Sequence, residues 1–177
     1  MPKFSYSCGK EFEGEYTYLP YLLEVTVRLP AEELWKEVEQ SVIDAKKGWL
    51  WATQYSQPHV DELPVRQGCD LHVDYQVPNL RDPKAPPIPL TYDYVLAEWK
   101  PEEMFYRYEG KGRHPFRGSG FVNVVPIDAG SCLLKWGGRY HFKTGDKKTE
   151  GVARGSVKYF FTFLMAVVDN IEKKTGW

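Results

Sequence analysis

Between residues 151 and 174, Val157, Phe160, Phe161, Leu164, Val167, Val168 and Ile171 recur at helical spacing. Residues three and four apart share one face of a helix, so this stretch predicts a long helix with one apolar side. Phe163, Met165 and Ala166 widen that side, Lys173 and Lys174 suit the negative end of the helix dipole, and Gly176 supplies a stop. At roughly 1.5 Å per residue the helix is about 30 Å long, the width of a small domain. A helix so long and so aromatic requires a broad apolar platform, and the residues before it must provide one.

The preceding sequence reads as strands. Residues 1–18 form a polar, glycine-containing arm or loose first strand. Over 19–29 Leu23, Val25, Val27 and Leu29 alternate with Glu24, Thr26 and Arg28, the pattern of a half-buried strand. Pro30 ends it and can open a helix, with Glu32 and Glu33 in the first turn and Leu34, Trp35 and Val38 on the apolar side. A second short helix is expected over 41–47, stopped by Gly48. Strands follow at 49–56 and 69–77, the latter with Leu71, Val73, Tyr75 and Val77 on one face. Five prolines (Pro78, Pro83, Pro86, Pro87 and Pro89) then exclude a central strand, because proline donates no ladder hydrogen bond. Further strands are expected at 91–99, 104–109, 121–127 and 132–142. The connections are a turn at 100–103, a basic glycine-containing loop at 110–120 and a hairpin turn at Asp128-Ala129-Gly130. Gly137 and Gly138 predict a bulge or bend in the last strand. Residues 143–150 read as a polar loop. Short connections imply an antiparallel meander with one face free for the terminal helix.

A chain of 177 residues buries about 70% of its extended surface, enough for one core. Its formal net charge of -1 gives no basic excess for nucleic acid or an anionic membrane. Cys8, Cys69 and Cys132 are odd in number and widely spaced, which disfavours a disulfide framework and points to a reducing cytoplasm. There is no apolar leader pattern and no run of 18 apolar residues, so neither a signal peptide nor a membrane span is expected. Six Trp, 12 Tyr and 9 Phe are unusually many, and suit a core or a ligand cavity.

The element order resembles the helix-grip fold of the START-like, or SRPBCC, superfamily. The resemblance rests on four segments. Residues 25–35, from Val25 through Pro30 to Trp35, look like its first strand and helix, and Pro64 to Gly68 like the approach to its third strand. Glu98 to Met104 look like a hairpin with Pro101 in the turn, and Val125 to Trp136 like the last hairpin. It spans about residues 19–174 and carries no catalytic signature. It implies an α+β fold: a curved antiparallel sheet of about seven strands wrapped round the C-terminal helix, with two short helices after the first strand. It also implies an arm at 1–18 and a single ligand-binding domain at 19–177.

In such a fold a cavity lies between helix and sheet, mostly apolar with a few placed polar groups. Alternation and helical phase nominate Tyr75, Tyr92, Tyr94, Tyr106, Trp136, Phe161, Leu164, Met165 and Val168 as its lining, with Leu134 and Tyr140 as further candidates. On the strand at 91–99 the other phase, with Asp93, Val95, Ala97 and Trp99 inward, stays open, and the tyrosine set is preferred for its two hydroxyls. For acid–base work the candidates are Tyr94, His114 and Arg113. His114, Arg113 and Arg117 sit in the basic loop, where arginine could meet a carboxylate or phosphate. His72 falls on the outer face, with Asp70, Asp74 and Asp93 as surface charges, and His141 shares a face with Arg139. His59 and His72 are far apart in sequence and no paired cysteines accompany them, so no metal is expected; no organic cofactor is implied either. Two function classes follow: binding of a hydrophobic small molecule such as a lipid, a polyketide or another aromatic compound, or catalysis of the polyketide cyclase/aromatase kind on a molecule held in that cavity. A third reading has aromatic side chains fill the interior and the protein act as a homodimer or through a partner.

Overall fold

The computed structural model describes residues 3–51, 56–77, 79, 82, 84–112, 114 and 116–176. Its strands are β1 (Phe4–Cys8), β2 (Glu11–Glu13), β3 (Tyr16–Val27), β4 (Ser56–Val60), β5 (Asp70–Val77), β6 (Ile88–Lys100), β7 (Phe105–Lys111), β8 (Arg117–Asp128) and β9 (Ser131–Lys143). Two helices join them, α1 (Ala31–Asp44) and α2 (Lys147–Thr175). All nine strands form one antiparallel sheet in the order β1-β3-β9-β8-β7-β6-β5-β4, with β2 pairing β3 as well. The N-terminal residues 4–18 are therefore part of the sheet, which is why it has more strands than the sequence pattern suggests.

The inner face follows the expected alternation. Leu19, Tyr21, Leu23, Val25 and Val27 of β3 are buried, as are Val122 and Val124 of β8 and Cys132, Leu134, Trp136, Tyr140 and Phe142 of β9. The helix α2 lies against this face by Phe160, Phe163, Leu164, Val167, Val168 and Ile171. By length and apolar content it also meets the minimum for a membrane span, but here its apolar stripe is the cover of the sheet. Asp146 starts it by accepting from the Thr149 backbone N–H at 3.0 Å, and Gly176, at φ 65°, ends it. The helix thus begins four residues before the expected boundary, within what reads as a polar loop.

Four other expectations are corrected. The two helices predicted after the first strand are one α-helix followed by a 3-10 turn, Ala45–Lys47. No strand starts at Trp49: residues 48–51 turn, because the Glu37 carboxylate accepts from the backbone N–H of both Trp49 and Leu50. Residues 52–55 of that predicted strand lie outside the described residues. Pro89 belongs to β6, at an end where β6 overhangs β7, whose pairing starts at Asp93↔Lys111; an overhang tolerates proline as an edge does. The Gly137–Gly138 pair makes no bulge, since register with β3 runs unbroken from Tyr16↔Lys143 to Val27↔Cys132.

Candidate functional site

The first half of α2 stands off the sheet and leaves a cavity of about 500 Å³. Its sheet side is built from Tyr75 and Val77 of β5, Leu90 and Tyr92 of β6 and Tyr140 of β9. Its helix side is Val152, Gly155, Ser156, Lys158, Tyr159, Phe160 and Thr162. Register explains the sheet wall: Tyr75 opposes Leu90, and Val73 opposes Tyr92. Gly155 lines the helix wall without a side chain, and a Cβ added there would meet no atom within 4 Å, so it borders open space. The helix is tied across the cavity by Tyr159, whose hydroxyl donates to the Gln76 carbonyl at 2.8 Å. Lys158 is the one cation among the described lining residues.

Behind the tyrosine wall lies a polar chain. The Tyr94 hydroxyl sits 3.4 Å from the Tyr75 hydroxyl and 3.2 Å from His114 Nε2. The His114 ring packs against Tyr92 at 5.0 Å and Phe116 at 4.8 Å. Its Nδ1 is buried, with no hydrogen-bond partner among the described residues. Burial pushes its pKa down to about 4, so the imidazole is neutral near pH 7. Desolvation raises the phenols of Tyr21, Tyr75, Tyr94, Tyr106, Tyr108 and Tyr140 above their usual range. These hydroxyls stay protonated and act as donors, while His114 keeps a lone pair able to take a proton.

Strand glycines make this layer possible. A methyl group at Gly120 would overlap the Tyr108 ring, one at Gly138 the Tyr21 hydroxyl, and one at Gly110 the His114 ring. Gly110, Gly118 and Gly120 are therefore not in the loop read from sequence at 110–120; they lie in β7, which ends at Lys111, and β8, which begins at Arg117.

The predicted lining separates into layers. Tyr75 and Tyr92 face the cavity, and Tyr94 and His114 stand one layer behind. Tyr106 is buried further along, beside Trp99 and Tyr108. Trp136 is also buried, its ring tilted against Trp51 with centres 4.7 Å apart, and its Nε1 donates to the Tyr108 hydroxyl at 3.1 Å. Leu164 and Val168 belong to the core under the second half of α2, and Met165 packs at its margin. Phe161 is not on the inner face: it is 39% exposed on the helix flank against Tyr6, and Phe163, 1% exposed, takes the inner position. Arg113 lies outside the described residues. Sequence reading missed Leu90, Val152, Gly155, Ser156, Lys158, Tyr159 and Thr162. Extending the alternation of Tyr94 and Tyr92 back to Leu90 would have found the first, but the neighbouring prolines hide it.

On the outer face His59 and His72, distant in sequence, oppose each other across β4 and β5 with rings 5.5 Å apart. Both nitrogens of His72 are taken, Nδ1 by Asp93 at 2.8 Å and Nε2 by Asp61 at 3.0 Å. The Asp93 hydrogen bond, with help from Asp61, raises the His72 pKa against the effect of burial. Among the described residues no cluster of metal-ligating side chains forms.

Known family models and curated sequences give no match to this chain. Solved structures do. Norcoclaurine synthase from Thalictrum flavum, in complex with dopamine and hydroxybenzaldehyde, superimposes at TM-score 0.63 with 15% identity, covering 90% of this chain and 87% of its own. The ZhuI aromatase/cyclase from Streptomyces sp. R1128 superimposes at 0.63 with 12% identity, covering 90% and 94%. The major latex-like protein 151 of Panax ginseng superimposes at 0.61 with 10% identity, covering 89% and 97%. At these identities the likeness is one of fold: this chain has the helix-grip fold that these proteins share.

Proposed function

We propose that the protein binds an apolar, aromatic small molecule between α2 and the β5–β6 wall. The observation that carries this is the cavity of about 500 Å³ with a mainly apolar and aromatic lining, within the range of small-molecule sites. Phenol hydroxyls at its base suit a ligand bearing a carbonyl or hydroxyl group, and Lys158 suits an acidic end. The two aromatic ligands named for one of the proteins that share the fold, dopamine and hydroxybenzaldehyde, are in keeping with this. The free thiols of Cys8, Cys69 and Cys132 agree with a reducing, cytoplasmic setting. A thermal-shift screen of fatty acids, polycyclic phenols and aromatic ketones tests the reading. At least one class should raise the melting temperature of the native chain but not of Gly155→Leu, which fills the cavity. No shift with any class overturns it.

A second reading has a specific support, the contact between His114 and Tyr94. A neutral imidazole beside the protonated Tyr94 phenol, linked through Tyr75 to the cavity, can hold the phenol hydroxyls as donors to a carbonyl oxygen that gains charge as an enolate forms. That is cyclase or aromatase chemistry, and one protein of the same fold is described as an aromatase/cyclase. If turnover of a bound poly-β-ketone is found, Tyr94→Phe and His114→Gln should each lower it about 10²-fold or more while ligand binding persists. Unchanged turnover removes both residues from the chemistry.

A further inference from the structure

On the convex side of the sheet, away from α2, three strands bring cations into one groove of about 490 Å³. Tyr18 of β3 opposes His141 of β9, which opposes Arg117 of β8. One step along, Arg139 opposes Ser119. Lys143, a further two residues along β9, opposes Tyr16 and is exposed. Like charges on neighbouring strands destabilise a sheet, so the Arg117 and Arg139 guanidiniums, set diagonally on β8 and β9, are a costly arrangement without a counter-anion. The protein supplies little of one. Arg107, at the groove edge, is neutralised by Glu98 and Glu109. Arg139 reaches only the exposed Glu13, at 3.9 Å, and Arg117 has no ion pair among the described residues. The Arg139 guanidinium lies over the Tyr18 ring, 4.4 Å from its centre, which engages its face and leaves its N–H edge to donate.

We infer that this convex groove is a binding site for a phosphate-type oxyanion, held between Arg117 and Arg139 with His141 beneath it. Tyr16 and Tyr18 flank His141 at 5.7 and 5.2 Å and offer stacking surface to a ring attached to the phosphate. The charged and titratable groups facing His141 are Tyr16 and Tyr18 from β3, Arg117 from β8, and Arg139 and Lys143 on its own strand, with Glu13 of β2 reaching Arg139. Burial first, then Arg139 and Arg117, hold the His141 pKa below its ordinary value. A bound dianion would reverse the repulsive part of that, so occupancy and His141 protonation are linked.

The test follows the His141 ring by NMR, its signal identified by its loss in His141→Gln. The full chain is titrated with inorganic phosphate and with adenosine monophosphate, and separately spun with phosphatidylcholine vesicles containing phosphatidic acid. A saturable shift with a rise in the His141 titration midpoint is expected, and Arg117→Gln/Arg139→Gln should weaken it at least tenfold. Saturation by the free compounds makes the ligand a soluble phosphate ester. Sedimentation with vesicles alone, lost in the double variant, makes it a lipid headgroup; both support the site. Thermal shifts by cavity ligands should be the same in the double variant, which shows it folded and separates this site from the internal one. No saturable shift and no sedimentation, or binding unchanged in the double variant, overturns the proposal.

Discussion

One added carbon at Gly120 would overlap the Tyr108 ring. Gly120→Ala is expected to cost about 1–3 kcal/mol by overpacking, and the cost should shrink in a Tyr108→Leu background; urea melts of the four proteins measure the coupling. Two histidines set opposite pH slopes. His114 has a folded pKa of about 4 against an ordinary 6.5, so the unfolded chain binds its proton first. Its contribution is present above pH 6.5 and falls away toward pH 4, by up to about 3 kcal/mol. Replacing it with Phe should flatten the acid limb of stability. His72 has a raised folded pKa, so its contribution is present below 6.5 and disappears as pH climbs through the raised value. Asp93→Asn should remove that loss on the alkaline side. The His114–Tyr94 contact was legible only as two names: alternation turned Tyr94 inward, but nothing local says that a residue of a basic turn folds under the sheet while Arg117, three residues on, points outward.

At the scale of elements, periodicity found most strands and the long helix because burial on one face enforces a period of two or 3.6. It erred where other forces set the geometry. Glu37 caps the turn after α1 from 12 residues away, and a cap supplied from such a distance leaves no local mark. On α2 both Phe161 and Phe163 were read onto the apolar side, but only Phe163 is buried and Phe161 lies on the flank. The correction is measurable: Phe163→Ala should cost about 3–5 kcal/mol, as expected of a buried aromatic, and roughly 10 °C of melting temperature. Phe161→Ala should cost well under half of that. Equal losses would return Phe161 to the inner face.

For the whole molecule the decisive quantity is the room left under the first half of α2. Gly155→Leu should preserve or slightly raise stability, since leucine is the better helix former by somewhat under 1 kcal/mol, yet abolish ligand-induced thermal shifts. Lys158→Gln should weaken acidic ligands about tenfold and leave neutral ones unaffected, as competition of paired acids and amides for one fluorescent probe would report. The twelve-position pairing of β3 with β9, from Tyr16↔Lys143 to Val27↔Cys132, carries a separate implication for how the protein is made. The first long strand has no permanent neighbour on that side until more than a hundred further residues have left the ribosome. At about 5–20 residues per second that is a wait of several seconds, during which Leu19, Leu23 and Val25 stand bare. Assembly must therefore be late and non-local, and chaperone dependence during synthesis should ease in a circular permutant that makes these two strands neighbours in sequence.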